Sequence, residues 1–168
     1  MQPMILFTDV LQDALFAALA AVGFASISNP PRQTYGYCAL IAGMGHAVRF
    51  FLMHLSNGAW GLIPASFAAS LLIGCLAVLF SNHAKCPPET FSFPSLLPII
   101  PGMYAYRTVE GIVMCLSTHE EQVFHHYLYL CLSNGLTCVF DILSMVLGVT
   151  IPIFVFKKIS FRVTRYSD

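Results

Sequence analysis

Residues 98–110 read PIIPGMYAYRTVE and sit inside an apolar segment long enough to cross a membrane. Proline lacks a backbone donor and restricts the residue before it, so Pro98-x-x-Pro101-Gly102 should interrupt or begin a helix. In lipid, irregular backbone survives only where protein covers it or where it lines a watery cavity. Tyr104 and Tyr106 follow, and then Arg107 and Glu110, which are three apart and share one face of a helix. An ionisable pair at membrane depth marks a candidate functional site. The alternative is a helix that starts at Pro101 in the headgroup region, with Arg107 and Glu110 neutralising each other.

Outward from this stretch, the chain is apolar almost everywhere. Of its 168 residues 57% are apolar and 10% charged, with a mean hydropathy of +0.74. A soluble domain would be about one quarter charged. A span needs about 20 predominantly apolar residues. Five runs qualify, at about 7–28, 34–55, 63–81, 98–116 and 124–156. The expected fold is therefore all-α: one transmembrane domain over residues 1–168, a bundle of five transmembrane helices with a Pro-Gly-interrupted fourth. The fifth run exceeds what a span needs, so it should tilt, protrude or kink near Gly148 and Pro152. Asn29-Pro30-Pro31-Arg32 is a turn, and residues 85–95, with three prolines, form the longest expected loop. With early acids at Asp9 and Asp13 and no basic n-region, the first run is expected to be a retained span rather than a cleaved signal peptide.

The basic residues give an orientation. Arg49 and Arg107 lie within spans. Five spans put Arg32, Lys85, Lys157, Lys158, Arg162 and Arg165 on one side, which the positive-inside rule assigns to the cytoplasm. The N-terminus, the turn at 56–58 and the acids Glu120 and Glu121 then lie outside.

Small residues recur at helical spacing: Ala17, Ala21 and Ala25, then Ala39, Gly43 and Ala47, then Ser66, Ser70 and Gly74. Such stripes allow close helix contact in lipid. Asp13 and Arg49 each lie six residues in from the outer end of a span, about 9 Å deep, so they are candidates to pair. Arg107 and Asp141 are candidates to meet near the midplane, with Glu110 competing for Arg107. His46, three residues before Arg49, either relays protons or hydrogen-bonds a neighbouring helix. For all these groups the structural alternative is a fixed ion pair that holds the bundle together.

Other chemistries have little support. The net charge is zero and no basic block or phosphate loop is present, which argues against nucleic acid. There is no H-E-x-x-H and no G-x-S-x-G, so neither an enzyme nor a metal site is expected, and no cofactor is implied. None of the six cysteines forms a C-x-x-C, and five lie in apolar runs, where free cysteine acts as a small hydrophobe.

Several pieces together resemble one family: Gln12-Asp13, Val22-Gly23-Phe24-Ala25, the Pro31 turn, Cys38-Ala39-Leu40, Gly45-His46 with Arg49, Pro98-x-x-Pro101-Gly102 with Tyr106, and Ile151-Pro152. The chain resembles the threonine/serine exporter family, and in particular a small, separately encoded subunit similar to that family's C-terminal half. The resemblance implies export of small metabolites across the bacterial inner membrane: threonine- or serine-type amino acids, or dicarboxylates such as succinate. It also implies a larger membrane subunit corresponding to the N-terminal half as partner. An odd number of spans supports such a partner, because a second five-span unit would be inverted, a common transporter design with its site at the midplane. An oligomer of the subunit is a further arrangement the sequence allows. On this reading Pro98, Pro101, Gly102, Tyr104, Tyr106, Arg107, Glu110 and Asp141 line the pathway, and Asp13, His46 and Arg49 form an intramembrane polar pair or relay. The competing reading is a membrane scaffold or regulatory subunit that transports nothing.

Overall fold

A computed structural model describes residues 3–55 and 60–156. The expected turn at 56–58 and the basic residues Lys157, Lys158, Arg162 and Arg165 lie outside the described residues. Those residues form six α-helices and one 3-10 turn, with no strand among them: α1 (Pro3–Ser28), α2 (Thr34–Leu55), α3 (Leu62–Ala84), α4 (Glu89–Leu96), the 3-10 turn (Leu97–Ile99), α5 (Gly102–Ser117) and α6 (Glu121–Val155). Among the described residues four helices are long and apolar enough to cross a membrane: α1, α2, α3 and α6. α1 exposes Phe7, Leu11, Leu15, Phe16 and Ile27. An outward face this apolar suits a lipid solvent.

Residues 98–116, the expected Pro-Gly-interrupted fourth span, are not among the four. Pro98 lies in the 3-10 turn, the backbone is non-helical at Ile100 and Pro101, and α5 starts only at Gly102. At 16 residues, α5 is about 24 Å long. The expected loop at 85–95 is corrected, because most of it is α4. Lys85 ends α3 in the left-handed conformation, with φ 53°, and Pro88 stands at the N-cap of α4. A proline costs nothing at a helix start, where its missing N–H would have no partner. α6 runs unbroken through Gly148 and Pro152 and, at 35 residues, is longer than a span needs, as expected.

The chain divides into two compact units. One takes the described residues up to Ile99 together with those from Ser144 onward, and the other is Ile100–Leu143.

The first unit is built on close approach of small residues. Ala17, Ala21 and Ala25 on α1 are buried, as are Ala65, Ser66, Ala69, Ser70 and Ala77 on α3. A Cβ added at Gly43 would come within 3.2 Å of the Ala14 carbonyl oxygen of α1. One added at Gly74 would come within 2.6 Å of the Val149 carbonyl oxygen of α6. Apolar surface gains little by leaving lipid, so packing of this kind is what holds helices together there. The hydroxyl of Ser144 adds a bond to the Ile63 carbonyl at 2.9 Å.

The second unit is an antiparallel hairpin of α5 and the first part of α6. Gly111 of α5 lies against Cys131 and Tyr127, where an added Cβ would be 2.9 Å from the Cys131 Cβ. Gly135 of α6 faces the Thr108 methyl at 3.2 Å on the same measure.

Candidate functional site

The first polar cluster forms where the proline-rich segment runs beside α2. Pro94 lies inside α4 and has no N–H, so the Thr90 carbonyl four residues earlier loses its helical donor. The Cys38 thiol of α2 approaches that carbonyl at 3.6 Å. The Ser95 hydroxyl donates in return to the Cys38 carbonyl at 3.0 Å. Farther along, the Gly102 N–H bonds the Ile100 carbonyl instead of continuing the helix. Arg49 Nη1 of α2 donates to the Ile99 carbonyl at 3.2 Å. Side chains of α2 thus bond two backbone carbonyls beside the prolines. The segment follows α2 from Cys38 to Arg49, eleven residues or about 16 Å. Phe91, in edge contact with Tyr37 at 5.9 Å, and Ile99 are buried on it.

One turn from that anchor, His46 Nδ1 lies 2.9 Å from Asp13 Oδ2 of α1. The expected Asp13–Arg49 pair is therefore corrected to Asp13–His46. His46 and Arg49 are three residues apart and point about 60° away from each other. α1 packs on the His46 side, and Arg49 is drawn to the 3-10 turn. An ionised carboxylate only accepts, so Nδ1 donates to Asp13. His46 Nε2 is buried and has no hydrogen-bond partner among the described residues.

The second cluster belongs to the hairpin. Arg107, Glu110, Gly111, His126, Tyr127, Leu130 and Asn134 line a cavity of about 330 Å³. Small-ligand sites fall in the range of roughly 300–1,000 Å³. Arg107 and Glu110 are exposed, and neither forms an ion pair or hydrogen bond among the described residues. The two do not neutralise each other, nor does Arg107 pair with Asp141. Asp141 is fully buried on α6, seven residues beyond Asn134. Asn134 donates to the Leu130 carbonyl at 2.7 Å, which fixes its amide.

The remaining expected residues divide between the two units. Pro98 is half-buried, Pro101 is buried at the N-cap of α5, and Gly102 opens that helix. Tyr104 is half-buried and Tyr106 exposed, and neither lines the cavity. His126, Tyr127 and Asn134 line the cavity without being among the site residues expected from the sequence. The available signal was spacing: His126, Leu130 and Asn134 are four apart, and Asn134 and Asp141 seven, so polar residues recur on one broad face of α6.

Helices of membrane length, apolar outward faces and ionisable groups enclosed between them define a polytopic membrane protein. Residues 13–155 match the model of a family described as Threonine/Serine exporter, ThrE. The chain belongs to the threonine/serine exporter family, whose members are transporters. An uncharacterized protein of Haemophilus influenzae (strain Rd) is 37% identical over 109 residues, 65% of this chain and 36% of the relative. The match therefore spans about a third of the relative's length. No solved structure matches.

Proposed function

We propose that this chain is the smaller membrane subunit of a secondary exporter that moves threonine- or serine-type amino acids, or dicarboxylates such as succinate, out of the cytoplasm. The observation that carries the reading is the cavity lined by Arg107 and Glu110, two charges without an ion pair or hydrogen bond among the described residues. Such charges at membrane depth face a pathway or a partner. A guanidinium matches a carboxylate in a planar two-bond fork, and every candidate substrate carries a carboxylate. Glu110 would receive an ammonium group or a second cation. Asp141, farther along α6, would continue the pathway.

The proposed partner is a larger membrane subunit corresponding to the family's N-terminal half. The exposed charges of α5 stand beside exposed Met103, Tyr106 and Val109, a surface that suits burial against protein better than contact with lipid. The relative's greater length is consistent with a second part beyond the matched region. In this reading residues 98–116 are the fourth of five crossings, interrupted at Pro101-Gly102, as in transporters that bind at interrupted helices. The family resemblance supports the bacterial inner membrane as its location, and the basic residues of the sequence support an outside N-terminus and a cytoplasmic C-terminus.

Efflux from cells lacking their own exporters tests the proposal. The chain is expressed alone and with the larger subunit, and the cells are loaded in parallel with labelled threonine, serine and succinate. Export of one of the three only when both chains are present supports the reading. A stable complex that exports none of them favours the scaffold.

A further inference from the structure

We propose that His46, held by Asp13, is the proton-carrying site of this transporter. The inference rests on the exporter reading and adds the residue that carries the proton.

Three observations carry it. His46 is buried on a membrane-length helix. One ring nitrogen, Nδ1, is fixed at 2.9 Å from the Asp13 carboxylate. The other, Nε2, is buried with no hydrogen-bond partner among the described residues. A histidine that serves only to join two helices needs one nitrogen, and burying the second unpaired is costly. With Nδ1 donating to Asp13, the neutral ring carries its lone pair on Nε2. Loading forms one N–H bond at Nε2, and the Asp13 carboxylate offsets the charge of the resulting imidazolium. Release breaks that same bond and restores the neutral ring. The pair thus alternates between net charge minus one and zero at a fixed site between α1 and α2.

The surrounding charges leave this role to the pair. On α2 itself, Arg49 lies one turn away and donates to the Ile99 carbonyl. Asp9 lies one turn before Asp13 on α1. His83, the one ionisable side chain of α3 besides Cys75, is near Tyr37 at the opposite end of α2. Glu89 of α4 also belongs to that end, next to Thr90 and its Cys38 contact. The Asp13 side chain is 37% exposed, against 11% for His46, so the pair reaches the surface on the Asp13 side.

The test compares net efflux with exchange in membrane vesicles carrying this chain and its larger partner, using whichever of labelled threonine, serine or succinate the wild type moves. Net efflux driven by a proton gradient needs the site to load and unload a proton. Exchange of labelled for unlabelled substrate at equal concentrations does not. His46→Gln keeps an amide N–H for Asp13 but cannot titrate, and Asp13→Asn keeps the hydrogen bond but loses the compensating charge. Both variants should lower gradient-driven efflux at least about tenfold while exchange stays within about twofold of wild type. Equal loss of efflux and exchange, or loss of assembly in both variants, would assign the pair to structure and overturn the proposal. Normal driven efflux by His46→Gln would overturn it and leave the exporter reading standing. A wild-type complex that moves no substrate would remove both.

Discussion

Arg49 Nη1 on α2 donates a hydrogen bond to the backbone carbonyl of Ile99, 3.2 Å away, at the last residue before the chain breaks at Ile100 and Pro101. This bond anchors the end of the proline-rich segment. Arg49→Gln should release it, at a cost of about 1.5–3 kcal/mol for a hydrogen bond from a charged group. Amide hydrogen exchange over residues 97–102 should then speed up about tenfold or more, with exchange in α3 unchanged. Unaltered protection at 97–102 would mean that the segment is held by its apolar contacts alone.

The Ser95 hydroxyl meets the Cys38 carbonyl where the segment begins its course along α2. Ser95→Ala leaves the shape intact and removes one buried bond, so it should lower stability by about 0.5–1.5 kcal/mol. Unfolding of the purified protein in detergent, followed by circular dichroism, measures this. A change below about 0.3 kcal/mol would show that the carbonyl's helical partner alone satisfies it.

The four long helices were legible because length and hydropathy suffice to mark them: α1 ends at Ser28 and α2 begins at Thr34, as the Pro30-Pro31 turn dictates. α4 was hidden because Pro87, Pro88 and Pro94 read as loop, and because its buried serines, Ser92 and Ser95, look like solvent-facing residues. Ser95 proves to be bonded to α2, a contact that no local pattern encodes. For the polar cluster, counting residues did not tell which side chain of α2 turns toward Asp13. It took the position of the 3-10 turn to draw Arg49 away and leave Asp13 to His46. The cavity of the hairpin lay beyond sequence reasoning for a similar reason: Asn134 and His126 join Arg107 and Glu110 only once Gly111 and Gly135 bring α5 and α6 together.

Glycines with opposite surroundings supply a packing test. A Cβ at Gly74 would press on the Val149 carbonyl oxygen, which is backbone and cannot step aside, while one at Gly23 meets nothing within 4 Å. Gly74→Ala should destabilise by about 1–3 kcal/mol. Gly23→Ala should be neutral or should stabilise by up to about 1 kcal/mol, the helical preference for alanine. Thermal unfolding of the two variants in the same detergent checks the pair, and equal midpoints would contradict the α3–α6 contact.

The account's central claim is that the cavity on α5 and α6 serves transport and not the fold. Because Arg107 forms no ion pair or hydrogen bond among the described residues, Arg107→Gln should leave stability within about 0.5 kcal/mol of wild type. The most direct measurement is efflux of labelled threonine, serine and succinate by cells expressing the larger subunit with either wild-type chain or Arg107→Gln, with the assembled complex quantified in both. The account predicts equal amounts of complex and at least about a tenfold loss of efflux in the variant. Efflux by Arg107→Gln at the wild-type rate would contradict it.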